Sequence, residues 1–342
     1  MIQEAIRKLV DGQSLGEAEA SAAANDIMTG DATPAQIGAF LIALRLNGET
    51  VEEISGMARV MREKALSVPT DGELVDVVGT GGDGLRTFNV STASALVTAS
   101  AGVKVAKHGN RAASGSVGAA DILEANGVKL ELSPDAVRRC IDTVGIGFMF
   151  APAFHPAMRF AGPPRRELGV RTVFNFLGPL TNPAGALYQV LGVAQPRDAS
   201  YDLQEAMARV LASLGTRHSW VVRGDDGLDE LTTTTTSQIW AVRGATLEHF
   251  TLTPEEVGLP RASLSDLQIN GLDDGLVRFE RALSEADSPE KDMVLLNAGA
   301  ALFVGGKATD IVSGIGLARQ AIDSGAASKK LTELKNFSQE LT

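Results

Sequence analysis

Residues 76–126 read DVVGTGGDGLRTFNVSTASALVTASAGVKVAKHGNRAASGSVGAADILEAN, and the parsing of this stretch decides the fold. The apolar run Leu74–Val78 predicts a strand, with Gly79-Thr80-Gly81-Gly82-Asp83 as a turn at its end. Asn89 or Ser91, both good N-cap residues, opens a helix that crosses an Ala-rich segment to Ala101 and stops at Gly102. The alternating Val103-Lys104-Val105 predicts a second strand, Lys107–Arg111 a second turn, and Ala119–Ala125 a second helix. Two parallel strands joined by a helix carry both turns to one carboxyl edge, where open α/β sheets bind ligands. Each turn feeds a helix N-terminus, whose free N–H groups and dipole favour anions, and glycines let the backbone wrap closely around a phosphate. Two such turns side by side suit a ligand with two separated phosphate groups.

Upstream, residues 1–65 carry apolar residues at helical spacing in Ile2–Leu9, Ser14–Met28, Thr33–Asn47 and Thr50–Lys64. Thr33-Pro34 and the capping box Thr50-Val-Glu-Glu53 mark helix starts. The fold class expected is α/β: a small all-helical N-terminal domain over 1–65, a linker at 66–73, and a larger α/β domain over 74–342 with a mainly parallel central sheet. The apolar face bearing Ile37, Phe40, Leu41 and Leu44 suits both a core and a subunit interface. Downstream, Ser133 caps a helix running to Gly145, Ile146–Phe150 is a buried strand, and the Gly162-Pro-Pro164 turn precedes Arg165-Arg166. Strands follow at Tyr188–Val193 and Ser219–Arg223, with a helix over Ala199–Leu214 between them. Ile239–Thr251 predicts a hairpin turning at Gly244, residues 258–290 an irregular polar surface region, and Lys291–Phe303, Asp310–Ser324 and Lys329–Glu340 closing helices. The run Thr232–Thr236 has strand propensity and no evident chemistry.

Composition narrows the function. A net charge of −11 over 342 residues argues against sequence-independent nucleic-acid binding. No apolar run is long enough to span a bilayer, no secretory leader is visible at the start, and the single cysteine, Cys140, suits a reducing cytoplasm. An anion site must therefore be built locally, and Lys104, Lys107, His108 and Arg111 form a basic cluster beside the second turn. Asp83 in a phosphate turn points to a metal, because Mg²⁺ bridges phosphate oxygens and carboxylates. Asp225, Asp226, Asp229 and Glu230 lie at another strand end and supply hard oxygen donors, with the Ser91 hydroxyl in reach of the same edge. His108 and His155 sit in predicted turns and could line a pocket, and Arg165 or Arg166 could pair a carboxylate bidentately.

Taken together, GTGGD (79–83), NVST (89–92), KHGNRAAS (107–114), FAPAFHPAMR (150–159), LGVRTVFNFLGPLTNP (168–183) and GLDE (227–230) resemble the anthranilate phosphoribosyltransferase family of tryptophan biosynthesis. The resemblance runs through nearly the whole chain in one order. It implies a nucleoside phosphorylase/phosphoribosyltransferase type of fold. It also implies a homodimer joined through the helical domain, with part of 165–185 returning to that domain. The reaction implied is transfer of a phosphoribosyl group from 5-phosphoribosyl 1-diphosphate to anthranilate, with two Mg²⁺ ions per subunit. Donor-binding positions carried over are Gly79, Gly82, Asp83, Thr87, Asn89, Val90, Ser91, Thr92, Lys107, His108, Gly109, Asn110, Arg111, Ala112, Ala113, Ser114, Gly115 and Ala119. Anthranilate contacts are Gly79, Asn110 and Arg165, with His108 and His155 lining the path. Ser91, Asp229 and Glu230 match the metal positions, and no general base is assigned.

The chain departs from the family at Ala119, where Ser is common, at Ser116-Val117, where Lys-Ser is common, and at Pro164 in place of Val. Two alternatives share the fold: a pyrimidine-nucleoside phosphorylase, and a non-enzymatic nucleic-acid-binding relative that would lack the GTGGD and Asp-Glu motifs and carry a basic surface.

Overall fold

The computed structural model describes residues 1–112, 117–196 and 201–341. Four helices open the chain: α1 (Ile2–Val10), α2 (Glu17–Thr29), α3 (Pro34–Asn47) and α4 (Val51–Lys64). Thr33 and Thr50 cap α3 and α4 through hydroxyls that accept the Gln36 and Glu53 N–H groups. Glu53 is almost fully buried and answers twice, accepting from the Thr50 N–H and from the Leu15 N–H, each at 2.8 Å. One carboxylate thus ties the start of α4 to the approach to α2.

The α/β part then runs β1 (Val75–Gly79), α5 (Val90–Ser100), β2 (Val105–Gly109), α6 (Ala119–Ala125), α7 (Pro134–Val144), β3 (Ile146–Phe150), α8 (Ala151–Phe154), α9 (Met158–Leu168) and β4 (Tyr188–Gly192). It continues with α10 (Leu203–Ser213), β5 (His218–Gly224), β6 (Ser237–Arg243), β7 (Thr246–Leu252), α11 (Leu272–Ala282), α12 (Pro289–Val304), α13 (Ile311–Asp323) and α14 (Ala326–Glu340). The strands form a seven-stranded sheet ordered β3-β2-β1-β4-β5-β6-β7. The first five are parallel; β6 and β7 form an antiparallel hairpin at one edge, closing at Gly244 and Ala245. Alternation along the strands splits the core. Val75, Val77, Val190, Trp220 and Val222 join the core beneath α5 and α12, whereas Leu191, Val193, Val221 and Val242 join a second core shared with α10 and the opening helices. The same second core takes Ala161, Val173, Phe174, Phe176, Leu177 and Leu180, and α9 packs against α2 and α3.

Four expectations need correction. The second strand begins at Val105 and ends at Gly109, so Lys107 and His108 lie inside it and not in a turn. Its ladder with Ile146–Phe150 takes the buried residues of both strands, leaving Val103 and Lys104 as the approach. Residues 258–290 are not irregular throughout, because α11 occupies Leu272–Ala282; its acidic start and internal Gly275 mask a helical stripe of Phe279 and Ala282. Gly162-Pro-Pro164 is not a turn but part of α9, which is entered through bonds such as Phe160 N–H to the Ala157 carbonyl, three residues back. Thr232–Thr236 form no strand; the Thr232 and Thr234 hydroxyls donate to Asp226. Of the expected helix over Ala199–Leu214, Ala199 and Ser200 lie outside the described residues.

Glu53→Ala removes two buried acceptors together with the capping box. It is expected to destabilise the chain by about 2 kcal/mol, read as a lower denaturation midpoint, whereas Asp31→Ala on the exposed surface leaves the midpoint within error.

Candidate active site

Parallel pairing aligns the ends of four strands. Gly79 is in register with Gly192, and Gly109 with Phe150, so the segments leaving β1, β2, β3 and β4 emerge at one edge. Three glycines after β1, Gly81, Gly82 and Gly84, adopt left-handed φ values of 68°, 80° and 78°, a conformation that side chains with a Cβ resist. Asn89 is the cap of α5, its side-chain oxygen accepting the Thr92 N–H at 3.0 Å. Asn89 also donates to the Val117 carbonyl at 3.3 Å, which joins the first turn region to the segment that precedes α6.

From β5 the chain returns across this edge. Asp229 Oδ2 accepts the Gly81 N–H at 2.7 Å. A Cβ built on Gly192 would lie 1.4 Å from the Asp229 carbonyl oxygen, and one on Gly79 would lie 2.3 Å from Asp229 Oδ2. Only glycine at both strand ends lets this acidic loop seat. Asp83 and Asp229 repel each other, and burial together with that repulsion lifts the Asp229 carboxyl to about 7. Glu230 is pushed well above the usual carboxylate range by burial first, then by Asp229 and Asp83, while Lys107 opposes the shift. Its Oε2 is buried without a hydrogen-bond partner.

Lys107 is buried, donating to the Val77 carbonyl at 2.8 Å and to the Ser91 hydroxyl at 3.3 Å. Burial draws its pKa down to about 8 against the pull of Asp76 and Glu230. Asp76, within β1, is fully buried and raised to about 6 by that burial. It accepts from the His108 N–H and from Asn182 Nδ2 at 2.8 Å, and Asn182 donates also to the Ala106 carbonyl. His108 and His155 stand with ring centroids 5.1 Å apart. Burial, and for His108 the neighbouring imidazole, lowers them to about 3 and about 4, so both are neutral. His108 Nδ1–H donates to the Gly178 carbonyl at 3.2 Å, and each ring keeps a buried Nε2 without a partner. They form an uncharged wall, not a phosphate-binding charge.

The other expected residues divide. Thr87 lies on the segment after the first turn, bridged to Gln268, and Val90 and Thr92 are buried in the start of α5. Asn110 is exposed at the end of β2 and Ala119 is the first residue of α6. Arg111 is committed elsewhere, bound to Glu124 at 2.7 Å and to Asp121 at 3.2 Å. Ala112 N–H donates to Asp121, and Ala113, Ser114 and Gly115 lie outside the described residues. Lys104 is at the opposite end of the sheet, paired with Asp142, and so does not belong to the basic cluster. Asp226 is used by Leu228 N–H and the two threonine hydroxyls, and Asp225 by Gln238. Of the four acidic candidates only Asp229 and Glu230 turn towards the glycine edge. Arg165, at the end of α9, is half-buried over the Phe174 ring at 5.4 Å, with burial lowering its pKa.

Sequence reading missed Gly192, Asp76, Asn182 and Arg171. Arg171 donates to the Gly82 carbonyl at 3.0 Å and to the Gly81 carbonyl at 3.3 Å, and its own carbonyl accepts from Arg45 of α3. The local signal was thin: a glycine at a strand end and a polar residue in an apolar strand.

A divalent cation fits this donor set. Three mutually repelling carboxylates and an unsatisfied Glu230 oxygen are relieved by positive charge, and hard oxygens suit Mg²⁺. Among the described residues no three His, Cys, Asp or Glu side chains form a closed metal cage. These side chains would supply part of a shell, as in sites where phosphates complete it. Because its folded pKa is raised, Asp229 contributes stability below pH 4 that is lost as pH rises towards about 7. Asp229→Asn is accordingly expected to raise the melting temperature of the unliganded chain at pH 8, with the advantage gone by pH 4; an equal advantage at both values would exclude charge repulsion as its cause.

Residues 71–328 match the family model described as glycosyl transferase family, a/b domain, and residues 3–65 its helical bundle domain. The chain is 52% identical over 332 residues to an anthranilate phosphoribosyltransferase of Moorella thermoacetica, covering 97% of this chain and 96% of that protein. The crystal structure of the Thermus thermophilus enzyme of that name superposes with a TM-score of 0.91 at 44% identity, covering 98% of this chain and 99% of the other. The Saccharomyces cerevisiae enzyme, solved in complex with PRPP and Mg, superposes with a TM-score of 0.89 at 27% identity, covering 99% and 98%. With the helical layer, the parallel sheet and the glycine-lined acidic edge all present, the chain belongs to the anthranilate phosphoribosyltransferase family.

Proposed function

We propose that this chain transfers the phosphoribosyl group of 5-phosphoribosyl 1-diphosphate to the amine of anthranilate, giving N-(5-phosphoribosyl)anthranilate and diphosphate. The observation that carries this reading is the meeting of the 79–83 turn, Lys107, Ser91 and the Asp229–Glu230 pair at one sheet edge. Gly79, Gly82 and Asp83 would wrap the diphosphate, with Thr87 beside them. Asn89–Thr92 and the segment from Lys107 through Gly115 would hold the remainder of the donor, Ala119 closing the α6 end. Ser91, Asp229 and Glu230 would hold Mg²⁺, two ions per subunit, which when bound neutralises charge on the departing diphosphate. Arg165 would face the anthranilate carboxylate, with Gly79, Asn110, His108 and His155 along its path.

The chain's own groups supply the rest. Cleavage at the ribose C1–O bond leaves an oxocarbenium-like sugar and a negative leaving group, which turn N–H donors at fixed positions stabilise. An aromatic amine is nucleophilic when neutral, so placement of the two substrates outweighs a strong base. Neutral His108 and His155 fit this, presenting a wall that neither repels nor protonates the amine. We further propose the domain division 1–65 and 74–342, with part of 165–185 working with the helical domain, and a cytoplasmic homodimer that pairs through that domain. Exposed Val10 and Leu46 support the pairing. Among the described residues no helix is long and apolar enough to cross a membrane.

The test is the loss of anthranilate fluorescence on adding 5-phosphoribosyl 1-diphosphate, with and without Mg²⁺; no donor-dependent loss with the ion present refutes the reading. Glu230→Gln is expected to lower turnover at least about tenfold and to blunt the Mg²⁺ response. Arg165→Ala is expected to raise the anthranilate KM by about tenfold, the worth of a charge-assisted contact, with the donor KM little changed.

A further inference from the structure

We propose that residues 264–270 are a strap that positions the first glycine turn, held from behind by Arg278 on Glu290. The inference deepens the reading of that turn as the diphosphate-binding element and rests on it.

The strap is a short antiparallel pairing away from the main sheet. Phe88 N–H donates to the Leu267 carbonyl at 3.0 Å, Ile269 N–H to the Arg86 carbonyl at 2.8 Å, and Thr87 bridges Gln268. The Gln268 side chain adds a bond to the Leu85 carbonyl at 3.1 Å. These contacts bracket Arg86, which among the described residues is alone in having a positive φ without being glycine, at 57°. That conformation is strained for a residue with a Cβ, so something must hold it. The carbonyls of residues 85 and 86 are both fixed by the strap, and the φ of Arg86 sets the direction in which the chain leaves Gly81–Gly84 for the α5 cap.

The strap is itself fixed. Leu267 and Ile269 are buried in the main core. Arg278 of α11 donates to the Asp266 carbonyl and pairs with Glu290 at 3.0 Å, and Glu290 is only 1% exposed. Asn270 N–H is taken by Asp274. The α11 backbone lies against the strap and the segment before α6: a Cβ on Gly275 would lie 3.3 Å from Ile269 and 3.6 Å from Val117, whose carbonyl binds the Asn89 cap. A region whose sequence reads as surface filler thus holds the chain over 85–88, as Arg171 holds the Gly81 and Gly82 carbonyls before it.

The experiment uses the full chain with Gln268→Ala and Arg278→Met. Gln268 is exposed, so its truncation does not threaten folding, and it serves if Arg278→Met melts early. Each substrate is varied with the other saturating, and amide hydrogen exchange is followed at Phe88 and Ile269. The expected result is a donor KM about fivefold higher, the size of one lost hydrogen bond, with faster exchange at both amides. The anthranilate KM and the kcat at saturating donor stay within about twofold of the unsubstituted chain. Unchanged donor KM in the folded variants, or equal rises in both KM values, overturns the proposal. If the unsubstituted chain catalyses no transfer, the reading of the site fails, and exchange alone decides the strap: faster at both amides supports it, and unchanged rates overturn it.

Discussion

The crossing of the Asp229 backbone over the ends of β1 and β4 is the contact on which this site depends. Two glycines in register, Gly79 and Gly192, leave a gap with no Cβ on either side, and the acidic loop fills it. The close approach brings Asp229 onto the Gly81 N–H and sets Glu230 near Lys107 and Ser91. A methyl group at either glycine would meet carbonyl or carboxylate oxygen well inside contact distance. Sheet register is therefore the first requirement of the chemistry, because it fixes which residues end level with one another.

The charges gathered there conflict in the unliganded chain. Asp83, Asp229 and Glu230 lie close together, and burial first, then their mutual repulsion, raises the Asp229 and Glu230 carboxyls. The buried Lys107 offsets part of this but is itself depressed by burial. A ligand that brings both negative phosphates and divalent cations resolves the conflict, where either alone would worsen one side of it. In a chain of net charge −11, positive charge for a polyanion is local and buried in Lys107, and the rest would come with the ligand's own ions.

Mechanical support comes from two directions. Arg45 of the helical layer holds the Arg171 carbonyl, and Arg171 holds the carbonyls of Gly81 and Gly82. Further along the chain residues 267–269 pair with 86–88. A turn rich in glycine has no intrinsic preference for a single shape, so its shape is imposed by what surrounds it.

The sequence by itself determined the order of layers, the parallel pair β1 and β2, a helix cap at Asn89 or Ser91, and an acidic stretch over 225–230 at a strand end. These rest on local signals of periodicity, capping and glycine punctuation, which act over a few residues. Only the tertiary structure decided that Lys107 and His108 lie within β2, that Arg111 serves Glu124, that Asp226 serves a threonine turn, and that Arg171 and 267–269 brace the glycines. Each of those depends on partners distant in the chain, brought close by sheet register and core packing. A side chain's neighbours across such distances leave no period in the sequence, so the same lysine, arginine or aspartate reads alike whether it is solvated, structural or poised at a site.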